Sequence, residues 1–281
     1  MSLHPILVTG ATGKSGSRVV SQLRAKGIPV RVASRSSQQR FDWTDRSTWD
    51  PVLDGVKAVY IVPLDGTTLT RPFVERAVLH GVERIVLASA RGVDVPDYAP
   101  DSSGLAATFG DGEDAVRHSG VEWTITRPGW FAQNFSEGFF SDAIRAGELR
   151  LPAGDGAASF VDAEDIAAVV VAALTEDGSA GQTYELSGPR AVTLAEAVAT
   201  ISEATGREIR YVPLSVEDYV AELVAQGVPA TDAQVLADMV SPLREGKDDY
   251  LSDGVQRALG RPPRDFTAFV KATAAAGGWR G

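Results

Sequence analysis

Three glycines set three residues apart, Gly10, Gly13 and Gly16, stand between the apolar run Ile6–Thr9 and the amphipathic stretch Lys14–Lys26. Residues of this type in this place serve backbone chemistry. Gly10 permits a tight turn, Gly13 lets the main chain approach a pyrophosphate, and Gly16 allows a helix to pack closely on a strand. The amides that open the helix, at the positive end of its dipole, then face an anion. Thr12, Lys14 and Ser15 lie in the same turn and join the candidate binding set. The embedded Gly13-Lys14-Ser15 invites comparison with an ATP-binding loop. That loop requires a glycine five residues before the one preceding its lysine, and here the position holds Val8. The spacing fits a dinucleotide instead.

Which dinucleotide is decided at the end of the next strand-like run. An NAD site places an acidic residue about 20 residues beyond the motif to bind ribose hydroxyls. This chain reads Ala33-Ser34-Arg35-Ser36-Ser37, with no carboxylate before Asp42. Arg35 offers a planar, permanently charged fork to a 2′-phosphate, Ser34 offers a hydroxyl, and Lys14 could add a point charge. NADP(H) is therefore the expected cofactor. Asp42 and Trp43 are placed at the border of the adenine.

Side chains that would move protons are harder to find. A carbonyl reductase commonly pairs a tyrosine with a lysine four residues later, which lowers the pKa of the phenol. None of the six tyrosines here has that lysine. His4, His80 and His118 are scattered without metal-ligand spacing, there is no cysteine, and Ser89 lacks a nucleophile elbow. No metal is expected. Asp162, Glu164 and Asp165 fall in a first helical turn, where acids serve the dipole and the cap. A hydride donor without an obvious acid favours an acceptor that needs none. An iminium becomes a neutral amine directly, and a quinone yields a delocalised anion that water can protonate.

The elements that must position these residues follow from periodicity. Candidate strands Ile6–Thr9, Pro29–Ala33, Ala58–Val62, Arg84–Ser89 and Glu122–Thr126 alternate with helical stretches at Lys14–Lys26, Thr70–His80 and Glu113–Ser119. This alternation predicts an α/β fold, a doubly wound parallel sheet with helices on both faces. Gly27, Gly81 and Gly120 sit where helix C-termini need a left-handed residue. The second half predicts helices over Phe131–Ala146, Asp162–Leu174 and Thr193–Thr205, strands at Thr183–Leu186 and Ile209–Val212, and only helices after Ser215. The expected division is a dinucleotide-binding domain at 1–150 and a smaller, mainly helical substrate portion at 151–281, partly interleaved with the first. A net charge of −10 argues against a broad nucleic-acid surface. No apolar stretch is long enough to span a membrane and no leader pattern opens the chain, so a cytoplasmic enzyme with a small-molecule substrate is expected. Apolar helical faces in the second half could cover a pocket or a second copy, which leaves a homodimer open.

"VTGATGKSG", "ASRSS", "VLASA", "SGVEWTITRPGWFAQNFSE" and "FVDAEDIAAVVVAAL" together resemble the NmrA-like, atypical branch of the short-chain dehydrogenase superfamily. "FDWTDRSTWD", "RPGWFAQNFSE" and "GRPPRDF" are similar to its ergot-alkaloid reductase group. The resemblance covers nearly the whole chain. It implies a Rossmann core, NADPH as donor and reduction of an iminium carbon. It also implies that Gly10, Gly13 and Gly16 cradle phosphates and that Arg35 meets the 2′-phosphate. Val62 and Pro63 close the third strand within the cofactor set, and Ser89 and Ala90 lie beside the nicotinamide ribose. Pro128, Gly129, Trp130, Phe131 and Asn134 are placed near the nicotinamide and the substrate. An NADPH:quinone oxidoreductase and a non-catalytic dinucleotide sensor are the alternative readings.

Overall fold

The computed structural model describes residues 4–100 and 106–279. Its first strand, β1 (Ile6–Thr9), is buried at every position and apolar up to the terminal Thr9, as a strand covered on both faces must be. Helix α1 (Lys14–Ala25) follows, then β2 (Val30–Ala33), α2 (Trp49–Leu53), β3 (Ala58–Ile61), α3 (Thr70–Leu79) and β4 (Arg84–Ala88). Next come α4 (Asp111–Arg117) and β5 (Glu122–Pro128). The second half contributes α5 (Asn134–Glu137), α6 (Ser141–Ala146), β6 (Glu148–Leu151), β7 (Ala157–Ala158), α7 (Ala163–Thr175), β8 (Gln182–Leu186) and β9 (Val192–Thr193). It continues through α8 (Leu194–Thr205), β10 (Arg210–Pro213), α9 (Val216–Ala225), α10 (Ala230–Met239), α11 (Ser241–Arg244), α12 (Gly254–Leu259) and α13 (Phe266–Ala275).

Six parallel strands form the main sheet in the order β2-β1-β3-β4-β5-β8. This is the Rossmann-like α/β fold expected from the alternation. Helices cover both faces. Val19 and Leu23 of α1 pack with Val169 and Val170 of α7 on one side, and Trp49, Phe73 and Val116 pack on the other. The chain leaves β1 towards β2 on one side and returns to β3 on the opposite side. The carboxyl ends of β1 and β3 therefore flank a crevice, the place where such sheets bind ligands. A third core, built on Phe135, Phe140, Phe160, Phe266 and Trp279, belongs to the second half.

One expectation is corrected and one element is added. The helix read over Phe131–Ala146 is two short helices, α5 and α6, separated at Gly138 with φ −148° and ψ −146°. Glycine is a poor helix former that takes this conformation without a Cβ penalty, so the residue itself ends α5. The Glu148–Leu151 segment, to which the periodicity assigns no element, is a strand. Its four residues pair in parallel with β10, some sixty residues further on, which no local window reveals. Among the described residues no helix is long and apolar enough to cross a membrane.

Candidate active site

At the tip of β1, the Thr9 hydroxyl donates to the Tyr60 carbonyl at 3.3 Å and accepts from the Val62 amide at 2.8 Å, tying β1 to β3. Gly10 follows with φ 58°, and a side chain there would meet Val62 Cβ at 2.9 Å. The Gly13 amide donates back to the Gly10 carbonyl at 2.9 Å, closing the turn. A Cβ on Gly16 would sit 2.2 Å from the same carbonyl oxygen, so only glycine lets α1 start here. No side chain caps α1 and no acid occupies its first turn. Its leading amides are therefore left for an anion. Ser15 is buried and accepts a hydrogen bond from the Tyr60 hydroxyl at 3.1 Å. Burial pushes that phenol up to about 12, so it serves as a fixed donor.

Beside the turn lies a groove of 360 Å³ over the ends of β1 and β2, lined by Gly10, Thr12, Ser34, Arg35, Asp42, Trp43 and Leu64 among others. Six of the residues read from the sequence as cofactor ligands are thus brought together. Arg35 is exposed and bonds to no described residue, so its guanidinium is available to a ligand. Asp42 accepts from the Thr44 hydroxyl at 2.8 Å and amide at 3.0 Å and pairs with Arg40 at 3.1 Å. The Thr44 bonds lead in holding its carboxyl below the usual range. Trp43 forms the floor, with ring centroids 5.1 Å from both Phe41 and Phe73 in edge-on contacts. Val62 faces Gly10, and Pro63 is buried behind it. The cradle, the uncapped helix and the unpaired guanidinium fit a phosphorylated dinucleotide.

A second cavity, 410 Å³, opens over the ends of β3, β4 and β5. Ala90, Pro128, Gly129, Trp130, Phe131 and Asn134 line it, together with Asp65, Arg91, Tyr98 and Phe109. Backbone pairing holds this wall. The Gly129 amide donates to Leu186, and Trp130 and Ala132 exchange bonds with Val161. Trp130 stacks on Phe140 at 5.7 Å, so it packs on the second-half core while facing the cavity. Ser89 does not face the cavity freely. Its hydroxyl donates to Glu113 at 2.5 Å, and Glu113 also takes two bonds from Arg127 at 2.7 Å and one from Arg117 at 2.8 Å. Burial alone would raise the Glu113 carboxyl, but the bonds from Arg127 and Ser89 hold it below its usual range.

Arg91, Tyr98 and Asp248 escaped the sequence reading, because loops some 150 residues apart assemble them. Asp248 is buried and accepts from Trp130 Nε1 at 2.8 Å and from the Tyr98 hydroxyl. Burial, followed by the Asp248 charge, pushes the Tyr98 phenol well above its ordinary value, and burial also raises the Asp248 carboxyl. The Arg91 guanidinium lies 3.8 Å from the Tyr250 ring centroid and donates to the Lys247 carbonyl at 3.0 Å. Lys14 joins the two regions. It turns away from the Arg35 groove, and its ammonium donates to Asn134 Oδ1 at 2.7 Å. Burial is the main cause lowering its pKa, opposed by Glu137 and reinforced by Arg18.

A family model described as NAD(P)H-binding matches residues 10–177, the span from the turn through α7. The chain belongs to this NAD(P)H-binding family. It is 35% identical to an NAD(P)H azoreductase of Xenophilus azovorans, over 97% of this chain and 99% of that one. It is 32% identical to an agroclavine dehydrogenase of Claviceps fusiformis, over 94% and 96%. The ergot-alkaloid reductase likeness read from the sequence therefore holds along the chain. Among solved structures, an Escherichia coli NADPH-dependent quinone oxidoreductase crystallised with NADPH superposes with a TM-score of 0.80 at 26% identity, covering 95% of this chain and 99% of that one. The protein is an NAD(P)H-dependent oxidoreductase. The glycine cradle and the uncapped start of α1 are the features that suit its cofactor.

Proposed function

We propose that the chain is an NADPH-dependent reductase that transfers hydride to an imine or iminium, or a related activated double bond, of a small molecule. The observation that carries this reading is the state of the polar groups around the aromatic cavity. Tyr98 and Trp130 both spend their donors on Asp248, and Ser89 spends its hydroxyl on Glu113. No tyrosine has a lysine four residues later to lower its pKa. The cavity thus suits an acceptor that requires no protein acid. Gly10, Gly13, Gly16 and the first amides of α1 hold the pyrophosphate. Thr12, Ser34, Arg35, Asp42 and Trp43 hold the adenosine end, with Arg35 on the 2′-phosphate. Val62, Pro63, Ser89, Ala90 and Pro128 shape the nicotinamide end. When bound, the reduced nicotinamide supplies the hydride. Trp130, stacked on Phe140 by one face, offers the other to a planar, cationic acceptor, which its quadrupole favours, and Phe131 adds apolar wall with the Lys14 ammonium 6.0 Å from its ring centroid.

A quinone is the second reading, favoured by Arg91. Arg91 lines the cavity, and its positive charge suits an electron-rich oxygen better than a cation. Aerobic oxidation of NADPH, followed by loss of its absorbance, is the test, with cyclic iminium ions in one panel and quinones in the other. Turnover of iminium ions alone supports the first reading, and turnover of quinones alone selects the second. Tight NADPH binding with no hydride loss to either panel rejects both and leaves a dinucleotide sensor.

A further inference from the structure

We infer that Asn134, held in one orientation by Lys14, donates its side-chain N–H to the acceptor heteroatom that gains an electron pair as hydride arrives. An ammonium group has donors and no acceptor, so the 2.7 Å contact from Lys14 forces the Asn134 amide to present its oxygen to the lysine. The amide nitrogen is then the free end. Asn134 lines the 410 Å³ cavity, and no described residue accepts from its Nδ2. The arrangement is built into the backbone. Asn134 opens α5, its amide donates to the Phe131 carbonyl at 3.0 Å, and its carbonyl accepts from Phe140 at 2.9 Å. Gly138 leaves the space that Lys14 fills, since a Cβ there would lie 2.4 Å from Lys14 Nζ and 3.0 Å from Asn134 Oδ1. The Lys14 ammonium also polarises the amide, which strengthens its N–H as a donor.

This inference rests on the cavity being the hydride-acceptor site. For a conjugated carbonyl acceptor, a C–H bond forms at the acceptor carbon with the two electrons of the hydride, and the displaced π pair ends on oxygen. The nicotinamide is oxidised, Asn134 keeps its proton while stabilising the oxyanion, and water supplies the proton that completes the product. An iminium nitrogen receives its π pair as a neutral lone pair and needs the donor less. Asn134 would thus be the catalytic residue, and Lys14 a positioning residue.

The Asn134→Asp variant tests this, because a carboxylate of the same shape still accepts from Lys14 but has no N–H to offer. Binding of 4-nitrophenol to the protein with NADP+, read by absorbance, reports whether the cavity favours a phenolate, a stable mimic of the developing anion. The wild type is expected to lower the phenol's bound pKa, and N134D to cost that phenolate preference tenfold or more. Quinone turnover in N134D is expected to fall about 10²–10³-fold in kcat with little change in the Kd for NADPH. The Lys14→Met and Gly138→Ala variants, which remove or displace the ammonium, are expected to shift phenolate preference in the same direction by less. An unchanged phenolate fraction in N134D, or no phenolate binding to the wild type, overturns the inference. Equal losses on iminium and quinone acceptors also overturn it, since they would mark a structural role. If neither acceptor class is turned over while the phenolate preference stands, the functional reading fails and the donor remains.

Discussion

Arg35→Ala is the substitution that most directly separates the two nicotinamide dinucleotides. The side chain is exposed and bonds to no described residue, so its loss should leave the melting temperature unchanged. What it forfeits is a charge-assisted contact to a 2′-phosphate, and such hydrogen bonds contribute about 1.5–3 kcal/mol. Solvent screens an exposed guanidinium, so the lower figure applies, about 1.5 kcal/mol or roughly tenfold in affinity. Asp42, whose carboxyl is held below its usual range across the same groove, cannot take over this role. Fluorescence titration should show the Kd for NADPH rising about tenfold in the variant, with NADH binding within twofold of wild type. The NADPH preference of the wild type should itself shrink as salt is raised, while that of the variant should not. Equal losses for both cofactors, or none for either, would refute the assignment of the guanidinium to the extra phosphate.

Three further outcomes are expected. Gly16→Ala places a Cβ 2.2 Å from the Gly10 carbonyl oxygen and must open the turn; NADPH affinity should fall roughly tenfold or more in the same titration. Glu113→Ala removes the two-bond partner of the buried Arg127 guanidinium, which keeps Asp94 at 2.5 Å and Glu185 at 3.1 Å. The charge stays paired, so the cost is that of lost charge-assisted hydrogen bonds, about 1.5–3 kcal/mol, and calorimetry should record a melting point lower by roughly 3–12 °C. Asp50 has its carboxyl held at about 2 by hydrogen bonds from Arg76, against 3.8 as its reference. A depressed folded pKa contributes stability that is present above the reference value and lost as pH falls through about 2. Asp50→Asn should therefore flatten the acid limb of a stability profile between those values, and parallel limbs would contradict the assignment.

Local chemistry made much of the fold legible. Ile6–Thr9, Arg84–Ala88 and the Gly10-Gly13-Gly16 spacing each state their role within ten residues, and Gly27, Gly81 and Gly120 take positive φ of 71°, 79° and 79° where helices end. Asp162 caps α7 by accepting from the Glu164 amide at 2.9 Å, as its position implied. Long-range pairing was not legible. Asp248 carries no local signal, yet it fixes two walls of the cavity. Lys14 reads as a phosphate ligand from its neighbours in sequence, and only the fold turns it towards Asn134. Glu113 looks like one more acid in a first helical turn until β5 brings Arg127 beside it. The break at Gly138 is different in kind, because the glycine is itself a local breaker that the helical spacing on either side masks.

The order in which the sheet is assembled has a consequence for biosynthesis. Its edge strand β8 ends at Leu186, and the layer over α1 closes only when Val255 joins that core and Arg261 reaches the buried Asp165 at 2.7 Å. A chain emerging from the ribosome therefore holds an unfinished nucleotide fold until the residues through Arg261 have been made. A nascent chain stalled before them is expected to leave the apolar surface of α7 and β8 that α12 covers open to chaperones.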